Sequence, residues 1–289
     1  MVKFGPSGNC DWFYENYTKT IESPKWLSSI GLDAYEYSFS RGVNISDDKA
    51  LELGNEFKKY GIEVSVHAPY FINLANPDDI MIEKSFGYMI SSIEKMKLLG
   101  AKKLIFHPGS LTKQTRQEAL ENVKKNLKTF VQMLKEKGIE DIYLCPETMG
   151  KHGQVGTVEE IAEMCSIDDM IIPTLDFGHI NSFNGGSLQT SADYEEIFLK
   201  LKEKLGDRFN KVHIHFSKIQ YGPKGELKHL TFDSDTENFG PHFEHLVPVL
   251  KKFNVDCVVV CESHGAQTKD ALKCKEKFNE NIWFLIRYM

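Results

Sequence analysis

A single (β/α)8 barrel spanning residues 1–289 is the fold this sequence predicts, on three observations. Eight short β-branched or aromatic runs are spread evenly along the 289 residues. Segments with apolar residues at helical spacing lie between them. No linker, low-complexity tract or shift in composition divides the chain. Strand then helix, repeated eight times, gives a parallel sheet, and eight units allow it to close. The alternative, an open doubly wound sheet, usually carries a Gly-rich phosphate loop after its first strand. "FGPSGNC" from Phe4 fits that fingerprint poorly.

In order, the first strand is read from "VKFG" at Val2 and the second from "AYEYS" at Ala34. A helix over Asp47–Tyr60 follows, with Asp47 as its N-cap and Gly61 as its stop. The third strand, "EVSVHA" from Glu63, precedes a helix over 84–100, stopped by Gly100. The fourth, "KLIFHPG" from Lys103, leads to a helix over 115–138, stopped by Gly138. After "DIYLCPET" from Asp141, Thr157 caps a helix, with Glu160 three residues on completing a capping box. "IIPTLDFGH" from Ile171 and "KVHIHFS" from Lys211 are the sixth and seventh strands. A helix over 241–253 then leads to the eighth, "DCVVVCESHG" from Asp256. The tail "NIWFLIRYM" is apolar enough to pack on the barrel or on a partner.

Composition narrows the class. A 41% hydrophobic and 26% charged chain can bury a large core. No apolar run approaches the roughly 20 residues that span a bilayer, and the N-terminus lacks a secretory pattern. Six scattered cysteines read as the reduced thiols of a cytoplasmic enzyme. No membrane association and a monomeric state are expected. The net charge of −6 counts modestly against a nucleic-acid protein, because phosphate binding rests on Lys and Arg. A basic stripe or bound cations would offset it.

The chemistry lies at the strand ends. His67 ends the third strand, His107 the fourth and Glu147 the fifth. Asp176 and His179 end the sixth, His213 and His215 lie on the seventh, and Glu262 ends the eighth. In a barrel these ends open on one mouth. One strand-end histidine is more often an ordinary polar residue than a ligand. Six consecutive strand ends are different, since packing gains nothing from charge buried there. Imidazole and carboxylate together suit zinc and similar ions. The donors exceed one tetrahedral ion, so about two or three ions are expected, with Glu147 or Asp176 bridging. Among the rest, His152, His242 and His245 read as surface residues, His264 as support for Glu262, and Asn73 as a turn cap. Tyr70 and Phe71, adjacent aromatics past the third strand, suit stacking on a base or sugar. Arg41, after the second strand, is either a phosphate or groove contact or a solvated surface residue.

The motifs "VHAPYFINLAN" (from Val66), "FHPGS" (Phe106), "CPETMGK" (Cys145), "LDFGHIN" (Leu175), "VHIHFSK" (Val212), "KHLTF" (Lys228) and "CESHG" (Cys261) occur in this order. Together they resemble the endonuclease IV family of apurinic/apyrimidinic endonucleases, within the xylose-isomerase-like TIM barrels. The resemblance runs along nearly the whole chain. It implies a trinuclear zinc site, with manganese as an alternative ion. His67, His107 and Glu147 match the ligands of one ion. Glu147, Asp176, His213 and Glu262 match those of a second, and His179 and His229 match two ligands of a third. The implied activity is zinc-dependent hydrolysis of double-stranded DNA on the 5′ side of an abasic site, in base excision repair. Glu147 and Glu262 are then the expected catalytic carboxylates, and Arg41, Tyr70 and Phe71 the expected DNA contacts.

Two departures bear on the third ion. The family has an Asp two residues before the histidine matched by His229, where this chain has Leu227. The Asn and Asp that follow its strand-seven histidine are replaced by His215 and Phe216. Glu226 and His215 are the candidates to supply the missing ligand. Two other functions compete on the same scaffold: a metal-dependent sugar isomerase or epimerase, and a non-catalytic metal protein.

Overall fold

The structure, a computed structural model, describes residues 1–234 and 239–287, with side chains through residue 280. The side chains of the apolar tail from Asn281 lie outside the described residues. The strands are β1 (Lys3–Pro6), β2 (Ala34–Ser38), β3 (Glu63–His67), β4 (Lys103–Phe106), β5 (Tyr143–Pro146), β6 (Thr174–Asp176), β7 (His213–Phe216) and β8 (Val258–Cys261). The helices that follow them in turn are α1 (Ser23–Ser29), α2 (Asp47–Tyr60), α3 (Asp79–Leu98), α4 (Arg116–Glu136), α5 (Val158–Cys165), α6 (Ser191–Leu205), α7 (Phe243–Phe253) and α8 (Gln267–Arg287).

All eight strands run parallel. Strands β2, β3, β4 and β5 pair in sequence to form one half of the sheet, and β1, β8, β7 and β6 form the other. Parallel bridges close the ring at both seams. Ser7 joins Glu36 at one, and Leu144 and Glu147 join Ile171 and Thr174 at the other. The expected TIM barrel is therefore present.

Local chemistry explains the helix limits. Thr157 and Glu160 form the expected capping box, and Thr115 and Glu118 form another. Gly61, Gly100 and Gly138 all have positive φ just past a helix. Two expectations shift. Ser46, not Asp47, caps α2, since its hydroxyl accepts from the Lys49 N–H. Helix α3 begins at Asp79 rather than at residue 84, capped by Asp78. Ile80 and Met81 are exposed in its first turn, so no buried stripe marks that turn in the sequence.

The main core fills the space between barrel and helices, with Phe57, Phe106, Phe130 and Phe198 almost wholly buried. Alternate strand residues face inward. Ala34, Val258 and Val260 form one small apolar group, and Ile105, Cys145 and Ile172 another. On the same inward faces, Glu36 pairs in register with Ser65, and His213 with Val258. The barrel interior is thus apolar in part, with a buried polar group beneath the mouth.

Gly5 permits closure between β1 and β2. A β-carbon there would stand 1.9 Å from the Ala34 carbonyl oxygen, and that atom belongs to rigid backbone. Gly5→Ala should therefore cost at least about 2 kcal/mol of stability by overpacking. Urea unfolding of the two proteins checks this. Equal midpoints would mean that this seam yields more easily than its geometry says.

Candidate metal centre

Glu147, on the residue after β5, is the hub of the mouth, and only 1% of it is exposed. Its Oε2 lies 3.1 Å from His67 Nε2 and 3.4 Å from His107 Nε2. Its Oε1 lies 3.2 Å from His215 Nδ1 and 3.3 Å from His179 Nδ1. Glu262, after β8, places Oε2 3.7 Å from His215 Nδ1. Three sets of donors result, each close enough to converge on one ion. They are His67, His107 and Glu147; Glu147, Asp176, His215 and Glu262; and His179, Glu226 and His229.

The chain around Asp176 builds two members of these sets at once. Asp176 ends β6 and caps the short helix Phe177–Phe183, its Oδ1 accepting from the His179 N–H at 2.8 Å. That bond fixes the carboxylate and brings His179 one turn along to the same mouth. Asp176 Oδ2 is then buried without a hydrogen bond, with His179 Nδ1 3.4 Å away. A buried carboxylate oxygen without a hydrogen bond is costly and suits a cation.

The imidazoles are held from behind. His67 Nδ1 lies 2.9 Å from the Ala68 carbonyl, and His179 Nδ1 lies 2.9 Å from the Thr148 carbonyl. A carbonyl can only accept, so each Nδ1 carries the proton; His67 then turns Nε2 to Glu147, and His179, whose Nδ1 also borders Glu147, turns Nε2 to Glu226. Charge follows the same pattern. Burial pushes Glu147 up, but His215, His107 and His179 hold its carboxyl well below the usual range. Burial would lower His179, yet Asp176, Glu147 and Glu226 carry it up to about 10. Burial likewise opposes the rise of His67 to about 9, which Glu147 drives. The carboxylates thus demand positive charge, from protons or from metal ions.

Glu226 is the carboxylate that the structure brings beside His179 and His229. A β-hairpin, Lys218–Gly222 with Gly225–Leu230, leaves the end of β7 and covers part of the mouth. Its register runs Gln220 to Lys228 and then Tyr221 to Glu226, so Leu227 is the extra residue of a β-bulge. In an unbroken strand, positions 227 and 229 share a face. The bulge turns Leu227 out, 63% exposed, and brings Glu226 to the face of His229. Glu226 Oε2 is then 3.5 Å from His179 Nε2, and its Oε1 is 3.7 Å from His229 Nε2. Gly150 makes room, because a β-carbon there would lie 2.9 Å from the Glu226 β-carbon and from His179 Cδ2. The Glu226 N–H also donates to the Gly150 carbonyl at 2.9 Å, docking the hairpin.

His213 is the expected ligand that the structure places elsewhere. It is wholly buried one inward position below His215, with Nε2 2.9 Å from Glu36 Oε2. His215 joins Glu147, Asp176 and Glu262 in its stead. Glu36 was not expected at all. A lone Glu in "AYEYS" resembles the solvated residue of any half-exposed strand, and only the closed barrel shows it facing inward. Tyr70 is 56% exposed, stacked on His107 at 5.4 Å and 24°. Phe71 is 53% exposed and leans on Tyr88. Arg41 is exposed on the loop after β2, whose Ser40 carbonyl accepts from the Tyr70 N–H at 3.0 Å. Asn73 does hold a turn, its Oδ1 accepting from the Ala75 and Ser110 N–H groups. His152 and His264 are exposed, but His242 and His245 are half-buried.

A cavity of about 390 Å³ fills the mouth, lined by residues that include His67, His107, His179, Glu226 and Glu262. A second, of about 430 Å³, shares Tyr70, His229 and Glu262 with it and adds Ser7, Lys228 and His264.

A barrel with such a mouth has known relatives. Residues 24–283 match the xylose isomerase-like TIM barrel family. The chain belongs to that family. An uncharacterized protein of Methanocaldococcus jannaschii is 30% identical over 88% of this chain and 90% of its own length. A probable endonuclease 4 of Mycoplasma genitalium is 34% identical over 55% of this chain and 54% of its own length. Among solved structures, a D-tagatose 3-epimerase-like protein superposes with a TM-score of 0.72 at 23% identity, covering 99% of both chains. Endonuclease IV of Thermus thermophilus superposes with a TM-score of 0.66 at 18% identity, covering 96% of this chain and 97% of that one. At those identities the two superpositions speak for the barrel alone.

Replacing Glu226 with Ala is expected to remove about one bound ion per chain by elemental analysis, and Leu227→Ala none. Loss of an ion from the Leu227 variant would contradict the bulge.

Proposed function

We propose that this protein is a metal-dependent phosphodiesterase that incises double-stranded DNA 5′ to apurinic/apyrimidinic sites. The observation that carries the reading is the three contiguous donor sets around one mouth, joined through Glu147. The relatedness to probable endonuclease 4 proteins supports it.

The donor chemistry fits the ions. His67, His107 and Glu147 would hold one, Glu147, Asp176, His215 and Glu262 a second, and His179, Glu226 and His229 a third. Mixed imidazole and carboxylate sets suit zinc, and the carboxylate-rich second set also suits manganese. When bound, such ions supply Lewis-acid stabilisation of charge on the phosphate and on the departing oxygen.

The chain does the rest. Glu262 opens on both cavities and is the carboxylate placed to take a proton from an attacking water. Tyr70 and Phe71 offer exposed ring faces on which a base or sugar can stack. Lys228, beside the second cavity, and Arg41, on the loop bound to Tyr70, supply positive charge for the DNA backbone. An abasic nucleotide has no base to unpair, so swinging it into the mouth is cheap.

One observation favours a second reading. Glu147, Asp176, His215 and Glu262 alone would hold a single ion, as a sugar epimerase needs, and epimerases share this barrel. Here the mouth also holds donors for two further ions, which a single-ion epimerase does not need, so the phosphodiesterase is preferred.

The deciding assay offers a duplex carrying one tetrahydrofuran abasic analogue, with Zn²⁺ or Mn²⁺. Incision 5′ to the analogue is expected, falling below detection in Glu147→Gln. No incision with either ion, together with interconversion of ketose epimers, would establish the second reading.

A further inference from the structure

The geometry points to Glu36 as a positioning residue that sets the proton of His215 and thereby the affinity of one metal position. The inference rests on the mouth being a metal centre, but not on what it cleaves.

His215 is wholly buried and held from two sides. Its Nε2 lies 3.0 Å from Glu36 Oε1 and 3.2 Å from Oε2. Its Nδ1 faces Glu147 at 3.2 Å and Glu262 at 3.7 Å. A carboxylate can only accept, so Glu36 keeps a proton on Nε2. Glu147 accepts at Nδ1 in the same way, at 3.2 Å, and an ion bound among Glu147, Asp176 and Glu262 would displace that proton, taking the Nδ1 lone pair and leaving the proton on Nε2. A carboxylate on the far nitrogen also raises the basicity of the ligating one. His67 and His179 lean on backbone carbonyls and His229 on the Ser217 hydroxyl, all through Nδ1. His215 leans on a charge through Nε2, and so presents the opposite nitrogen.

Glu36 is held in turn. The Ser65 hydroxyl donates to its Oε2 at 2.9 Å, and His213 Nε2 donates to the same oxygen at 2.9 Å. His213 Nδ1 has no partner, so the ring is held through the one proton on Nε2 that Glu36 accepts. Burial pushes Glu36 up, but His215 and His213 keep its carboxyl well below the usual range. Glu36, His213 and His215 would themselves be a donor set for an ion inside the barrel. Glu36 Oε2 already takes three hydrogen bonds, from Ser65, His213 and His215, and Oε1 alone is left without one, so hydrogen bonding is the better account.

Glu36→Gln is the informative change. It removes the charge and adds an amide donor, which can drive the ring proton to Nδ1 where the ion must bind. Chelator competition without DNA should show the affinity for one ion falling about 10–100-fold, with the others unchanged. Circular dichroism and the unfolding midpoint of the metal-free protein should stay near wild type. Proton–nitrogen correlation spectra of the zinc-loaded wild type should show His215 protonated at Nε2. Ser65→Ala, which frees one side of Glu36, should weaken the same ion by less, and decides the matter if Glu36→Gln fails to fold. Wild-type affinity for every ion in the folded variants, or equal weakening of all of them, overturns the assignment. A wild-type protein that takes up no metal sinks the metal centre itself, which is a different failure from incision being absent.

Discussion

Glu147 is a carboxylate sealed into the mouth of a barrel, and burying it without compensation would cost several kcal/mol. Four imidazoles from four different segments converge on its two oxygens, at 3.1–3.4 Å. Each of three of those rings needs its own support behind it: the Ala68 carbonyl for His67, the Thr148 carbonyl for His179, Glu36 for His215. The local backbone after β3 and β5 and the polar group beneath the mouth therefore all serve one buried charge. This is also why the site belongs to the closed barrel. Only when both seams are joined do β3, β4, β5, β6, β7 and β8 aim their ends at the same point.

Most of the barrel can be read from the sequence because its signals are local. A β-branched run, a helical stripe, a glycine at a helix end and a capping box each depend on a few neighbouring residues. The first turn of α3 escapes because exposed Ile80 and Met81 carry no burial pattern. Strand-end donors are legible for a related reason. A polar residue that ends an apolar run stands out, and the barrel's topology sends all such residues to one place.

What the sequence hides is decided by partners far away along the chain. His213 and His215 have the same parity on β7, so alternation cannot choose between them. The choice is made by depth: His213 pairs with Val258 and Thr174, whereas His215 pairs with Val260 and Asp176, level with the mouth. Glu36 is concealed in the same way, since nothing within "AYEYS" says that it will meet two histidines about 180 residues on. Glu226 is hidden by spacing. Three residues before His229 is the wrong interval for a regular strand, and the bulge at Leu227 corrects it. A pattern of residue types at fixed intervals thus carries a ligand set only as far as the backbone keeps its register.

The same donors bear on the acidity of the chain. Glu36, Glu147, Asp176, Glu226 and Glu262 belong to one connected group of side chains, so part of the formal charge of −6 is spent inside the mouth rather than on the outer surface. A divalent ion in each of three donor sets would add about six positive charges, comparable with the whole deficit. The field met by a phosphate would then be set by those ions together with Lys228 and Arg41 at the rim, and not by the average composition. Net charge is a weak guide to partners where acidic residues are gathered to hold cations. For this protein the acidic balance and an anionic substrate are compatible, because the acids that produce the one would hold the ions that attract the other.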